Sequence, residues 1–153
     1  MKVHINVGKP AINGYINLDP MGGEDKCVGQ ITNINGIAED AECTEILADD
    51  ILDFIPSNEI LNTLRHYVGK LRHGGKLIIG GTDLHSVCQA IVTKQLNCVE
   101  ANHLLHGEQN NTWAFKYGQI NLDDLVKLLS DLGLKIMKKR LNSYKMCVEA
   151  IRP

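Results

Sequence analysis

The residues able to do chemistry fall at a few separated places in the chain. Asp19 ends the short run Tyr15 to Leu18. A carboxylate there can accept hydrogen bonds from both hydroxyls of a ribose, although Asp19-Pro20 also suits an ordinary turn. Gly8-Lys9-Pro10 follows the alternating run Val3 to Val7. Gly8 would let the backbone approach a ligand and Lys9 would add charge, while the same letters make a simple turn. Asp49-Asp50 can bind a substrate, supply a base or stand as a solvated loop. Asp83, beside His85, is as good a helix cap as a proton acceptor. His103, His106, Glu108, Trp113 and Tyr117 gather between Asn97 and Gly118, the one stretch without clear periodicity, and loops carry function disproportionately. His106 and Glu108 are spaced to share a proton-transfer task. Two histidines and a glutamate at this spacing match no recognised ligand pattern, so no metal is expected.

These residues need elements to hold them. Val3, Ile5 and Val7 alternate with polar residues and predict a first strand; Tyr15 to Leu18 predicts a second, and Cys27 to Ile31 a weaker third. Asn33 to Glu42 is polar and turn-rich. Glu45 to Ala48 reads as the end of a fourth strand. Ser57 is the expected N-cap of a helix with Ile60, Leu64, Tyr67, Val68 and Leu71 inward, stopped at Gly74-Gly75 before a short buried strand, Lys76 to Ile79. Thr82 or Asp83 caps another helix, with Leu84, Val87, Cys88, Ile91 and Val92 inward. Asn121 caps a third, with Leu122, Leu125, Val126, Leu129 and Leu132 as its apolar stripe. Leu134 to Leu141 and Tyr144 to Ile151, joined at Asn142-Ser143, read as an antiparallel hairpin. Strands and helices that alternate and then close with a hairpin predict an α/β sheet, mostly parallel, with an antiparallel strand near one edge. In such a sheet ligands bind outside the carboxyl ends of the strands, where Gly8, Asp19, Asp49 and Asp83 fall.

Composition narrows the function. The 153 residues predict one domain, 1–153. Sixteen Lys plus Arg against eighteen Asp plus Glu give a net charge of -2, which argues against a protein held mainly by nucleic-acid phosphates. The charge is uneven: eight acidic residues lie between Glu39 and Glu59, and six basic ones between Lys135 and Arg152. That basic hairpin keeps an anionic substrate, nucleic acid included, in play. No apolar run is long enough to span a membrane and the first residues do not read as a signal peptide. Cys27, Cys43, Cys88, Cys98 and Cys147 are odd in number and unpaired in spacing, as expected of small buried hydrophobes in a reducing cytoplasm. P-loop, dinucleotide-fingerprint and nucleophile-elbow patterns are absent.

Several segments together resemble the small class I S-adenosylmethionine-dependent methyltransferases. VHINVGKPAINGYINLDP resembles their opening strand, glycine-rich loop and second strand. EILADDILDFIPSNEI resembles the segment in which an LEHI motif leads into a helix. LRHGGKLIIGGTDL resembles the turn into the fifth strand, and LLHGEQNNTWAFKYGQINLDDLVKLLSDLGLKI the late loop and helix of a subgroup whose late histidine falls here near Phe115. The closing hairpin matches the family's reversed last strand. The segments follow the family order over almost the whole chain. The resemblance implies a Rossmann-like sheet flanked by helices, with S-adenosylmethionine held by Gly8, Lys9, Asp19, Ala48 and Asp49. Asn33 or Asp40 would stand in for the acidic residue after the third strand. It implies methyl transfer to a small or glycan-type acceptor, with Asp49, Asp83 and His106 as candidate bases. The family loop is here shortened to Gly8-Lys9-Pro10, and Pro10 lacks an amide donor. A catalytically inactive methyltransferase-like binding or assembly module is the alternative. The chain starts at its first strand, without the helices that often cover the cofactor in the family, which predicts self-association through uncovered apolar surface.

Overall fold

A computed structural model describes residues 1–153. Six strands form one sheet in the order β2-β1-β3-β4-β6-β5. β1 (Lys2–Ile5), β2 (Ile16–Leu18), β3 (Cys43–Ala48) and β4 (Leu71–Thr82) are parallel, β6 (Lys145–Ile151) runs antiparallel beside β4, and β5 (Lys135–Asn142) pairs antiparallel with β6 at the edge. The predicted architecture is therefore present. A core of 24 buried residues takes Val3 and Ile5 from β1, Ile46 and Ala48 from β3, Leu77 and Ile79 from β4, and Met146, Val148 and Ala150 from β6.

The predicted third strand shrinks to one bridge, Leu18 to Cys27. Gly29 lies so close to β2 that a Cβ there would stand 2.8 Å from Leu18 Cδ1. Ile31 and Ile34 then enter the core from irregular backbone. β1 and β2 are joined by residues 6–15 with no helix, shorter than the dozen or more residues usual between parallel strands. Asn17 makes this connection workable. Its amide donates to the carbonyls of Ile12 and Tyr15, each at 3.1 Å, and its carbonyl accepts from the Ile12 N–H at 2.9 Å and lies 2.8 Å from His4 Nδ1. The buried Asn17 side chain is thereby satisfied and the loop is tied to β2.

α1 (Ile60–Lys70) begins after Glu59, not after a Ser57 cap, and gives way at once to β4. Gly74-Gly75 lies inside that strand and does not stop the helix. Leu71, predicted on the helix, is fully buried in β4 and pairs with Cys43. α2 (Leu84–Val92) is capped by Asp83, and α4 (Leu122–Asp131) by Asn121, as expected. Val87 and Ala90 of α2 are buried, but Cys88, Ile91 and Val92 face solvent. α3 (Cys98–His106) occupies part of the unassigned stretch, with a capping box between Asn97 and Glu100.

His66 on α1 ties down the irregular segment after β2. Its Nε2 accepts the Ile34 N–H at 3.0 Å, so the ring must be neutral. Burial and then the Lys70 charge push its pKa below the ordinary value, against the opposing pull of Asp40. Between the lowered folded value and the unfolded value of about 6.5, the unfolded chain binds more protons. Stability should therefore fall as pH drops through about 6.5. His66→Gln keeps an acceptor without titrating, and thermal melts at neutral and mildly acidic pH should show a flatter dependence for it than for the parent chain.

Candidate functional site

β1 lies between β2 and β3, so successive connections leave it in opposite directions. The carboxyl ends of these three strands form the crevice in which open α/β sheets bind ligands. Gly8, Lys9, Asp19 and Asp49 lie along this edge.

Asp19 is fully buried at the end of β2. Its Oδ2 accepts from the Gly8 N–H at 2.9 Å and from the Lys26 ammonium at 2.7 Å, and its Oδ1 accepts from the Met21 N–H at 2.9 Å. Gly8 has φ of +75°, and a Cβ there would lie 3.4 Å from Met21 Sδ. Glycine is thus favoured at Gly8 by conformation. The turn returning Lys26 to Asp19 contains Gly22 and Gly23, both at positive φ. No local pattern announces Lys26; only the fold brings it back to a residue seven positions earlier.

Lys9 spans the crevice. Its ammonium lies 3.2 Å from Asp49 and 3.5 Å from Asp50, and Lys145 of β6 reaches Asp50 at 2.9 Å. The Asp49 side chain stays 44% exposed, leaving it open to solvent at the strand edge. Ala48 is fully buried and its methyl belongs to the core. Asn33 is exposed, and its side chain accepts the Asn35 N–H in a local turn. Asp40 pairs with Lys70 away from this edge; that hydrogen bond and charge hold its carboxyl below the usual range.

Asp83 has a structural occupation. It accepts from Ser86 N–H at 3.0 Å and Ser86 Oγ at 2.5 Å to cap α2, and from the Leu122 N–H at 2.9 Å at the start of α4. A carboxylate that is 2% exposed and holds two helix starts together is poorly placed to exchange protons with a ligand. His106 is exposed at the end of α3 and borders a cavity with His103, whereas Glu108 borders a different one beside Phe54. No hydrogen bond joins His106 to Glu108; the Glu108 carboxylate accepts from Asn110 at 3.4 Å. No three His, Cys, Asp or Glu side chains assemble at metal-binding distance.

A second polar cluster escapes the sequence reading. Asp53, in the 3-10 turn Leu52–Phe54, is 1% exposed. It accepts from the Thr82 N–H at 3.0 Å, from Thr82 Oγ1 at 2.5 Å and from the Lys116 ammonium at 3.0 Å. The turn crosses the end of β4 so closely that a Cβ on Gly81 would lie 2.8 Å from Asp53 Oδ1. Gly80-Gly81 is thus a close-approach site and not a simple strand stop. The signal is in the letters: Leu52-Asp53-Phe54-Ile55 falls where the resemblance places LEHI.

No family model matches the sequence, and no curated protein matches it. Solved structures do match in fold. A Burkholderia thailandensis 1,6-didemethyltoxoflavin-N1-methyltransferase, with its substrate and S-adenosylhomocysteine bound, aligns with a TM-score of 0.61 at 10% identity, over 90% of this chain and 60% of that one. A SAM-dependent methyltransferase from Methanosarcina mazei gives 0.64 at 11% identity, over 99% and 92%. Magnesium protoporphyrin IX methyltransferase from Synechocystis PCC 6803, with bound SAH, gives 0.58 at 14% identity, over 99% and 74%. The chain spans 60% of the length of the first of these. At such identities the likeness establishes the fold: the sheet is similar in fold to those of these methyltransferases.

Proposed function

We propose that the chain is an S-adenosylmethionine-dependent methyltransferase acting on a small acceptor. The observation that carries this reading is the meeting of Gly8, Asp19 and Asp49 at one crevice of a sheet whose neighbours are methyltransferases. The donor set fits the cofactor in kind. Gly8 offers a close approach without a side chain, Asp19 offers a carboxylate to a ribose diol, and Lys9 and Asp49 offer opposite charges to an amino-acid end. Ala48 and Asn33 would contribute backbone, since one side chain is in the core and the other holds a local turn. Binding requires one exchange: the Lys26 ammonium on Asp19 must yield to the ribose hydroxyls.

When bound, the sulfonium supplies an activated methyl group. The chain's own task is then to position the acceptor and keep water out. Among Asp49, Asp83 and His106, Asp49 is the best-placed base, because its carboxylate is open at the crevice while Asp83 is committed to two helix starts. Solubility in the cytoplasm and self-association through the exposed apolar residues of α2 belong to the same proposal.

The occupied Asp19 favours one other reading, a methyltransferase-like binding module in which Lys26 permanently replaces the cofactor. Calorimetric titration with S-adenosylhomocysteine separates them. The enzyme reading expects saturable one-to-one binding. Absence of heat at millimolar ligand would leave the module.

A further inference from the structure

A cavity of about 360 Å³ lies outside the proposed cofactor crevice. Its walls include Gln30 and Thr32 from the segment after β2, Phe54 and Glu59 from the segment before α1, and Trp113 and Tyr117 from the late loop. None of the residues assigned to the cofactor lines it.

Each wall is tied to buried structure. The Tyr67 hydroxyl, fully buried on α1, donates to the Ile31 carbonyl between Gln30 and Thr32. Phe54 follows Asp53, which is fixed to Thr82. The late loop is pinned to the same residue twice, by the Lys116 ammonium on the Asp53 carboxylate at 3.0 Å and by the Tyr117 N–H on the Asp53 carbonyl at 2.7 Å. Phe54 and Tyr117 thus share one buried anchor, and their relative placement is set before any ligand arrives.

The chemistry of the walls selects the ligand. Three aromatic side chains, Phe54, Trp113 and Tyr117, line the cavity and suit a flat π-system, while Gln30, Thr32 and Glu59 supply only a few polar groups, one a carboxylate that can only accept. A saccharide carries a hydroxyl on most ring carbons and would leave many without a partner here. The volume falls in the range of small-molecule sites. We propose that this cavity binds a planar heteroaromatic small molecule bearing an N–H or O–H donor, and that this molecule is the methyl acceptor. Only the word acceptor rests on the methyltransferase reading.

Trp113 is the only tryptophan in the chain and reports on the cavity directly. Titration with 4-hydroxyquinoline should quench its emission saturably. Tyr117→Ala should weaken that binding by about tenfold, and Tyr117→Phe should restore it, because stacking needs the ring and not the hydroxyl. Tyr117 is 59% exposed, so neither change threatens the fold. Glu59→Gln should weaken 4-hydroxyquinoline but not plain quinoline. Saturating S-adenosylhomocysteine should leave the quinoline bound. No saturable quench, quenching by methyl glucoside instead, or displacement by S-adenosylhomocysteine would each overturn the proposal. If S-adenosylhomocysteine fails to bind while the quinoline result holds, the methyltransferase reading falls and the heteroaromatic site stands.

Discussion

Lys116→Met is expected to destabilise the protein by about 3 kcal/mol, the low end of the cost of breaking a buried ion pair. The Asp53 carboxylate it abandons is 1% exposed and keeps only the two bonds from Thr82. Those neutral donors soften the loss without removing the desolvation penalty of the charge. The denaturation midpoint measures the effect. Replacing both partners, Lys116→Met with Asp53→Leu, should recover part of it, because no unpaired charge remains. An exposed pair provides the control: Lys127 and Asp131 stand 74% and 60% exposed, and Lys127→Met should leave the denaturation midpoint nearly unchanged, since solvent screens the pair. Hydrogen exchange adds a local readout. The Tyr117 amide, bonded to the Asp53 carbonyl, should lose protection in Lys116→Met, since the late loop is then held by that bond without its ion pair. A loss of stability with the Tyr117 amide still protected would show that Lys116 does not hold the loop.

The elements legible in the sequence are those whose local pattern agrees with their place in the fold. The alternation in β6 follows the pleat, with Met146, Val148 and Ala150 buried, and Asn121 caps α4 as its letters suggest, whereas β1 ends at Ile5 with the polar His4 and Asn6 buried and β5 lies almost wholly exposed. α3 is less legible because its apolar residues form no stripe: Ala101 is its only buried residue, and Val99 is 67% exposed. Its capping box, Asn97 with Glu100, is the signal that could have found it. The boundary between α1 and β4 is tertiary in origin. Leu71 continues the helical spacing, but pairing with Cys43 in the core draws it into the strand. The site divides in the same way. Gly8, Asp19 and Asp49 are readable because strand ends are readable. The Leu52–Ile55 letters mark Asp53 itself, but its partnership with Lys116 spans 63 positions and the meeting of Gln30, Phe54 and Trp113 joins three segments, so neither assembly is visible locally.

The exchange at Asp19 has the largest consequence for ligand binding. Lys26→Met removes the cation that competes with a ribose diol for a carboxylate already held by two backbone N–H groups. A hydrogen bond to a charged group is worth about 1.5–3 kcal/mol, so S-adenosylhomocysteine should bind about tenfold or more tightly to this variant. The same substitution leaves Asp19 buried beside no counter-charge, so the variant should be less stable by about 3 kcal/mol. Part of that loss should return when the ligand is added, because only the folded chain binds it. Asp19→Asn should act oppositely, weakening binding by about 100-fold as two charge-assisted bonds to the diol become neutral ones. Calorimetry gives the affinities and thermal melts with and without ligand give the linkage. Unchanged affinity in Lys26→Met would mean that Lys26 does not occupy the ribose position. Weaker affinity would make Lys26 a ligand-holding residue instead of a competitor. Tighter binding, with stability regained on adding ligand, requires that the ammonium and the ribose diol compete for one carboxylate.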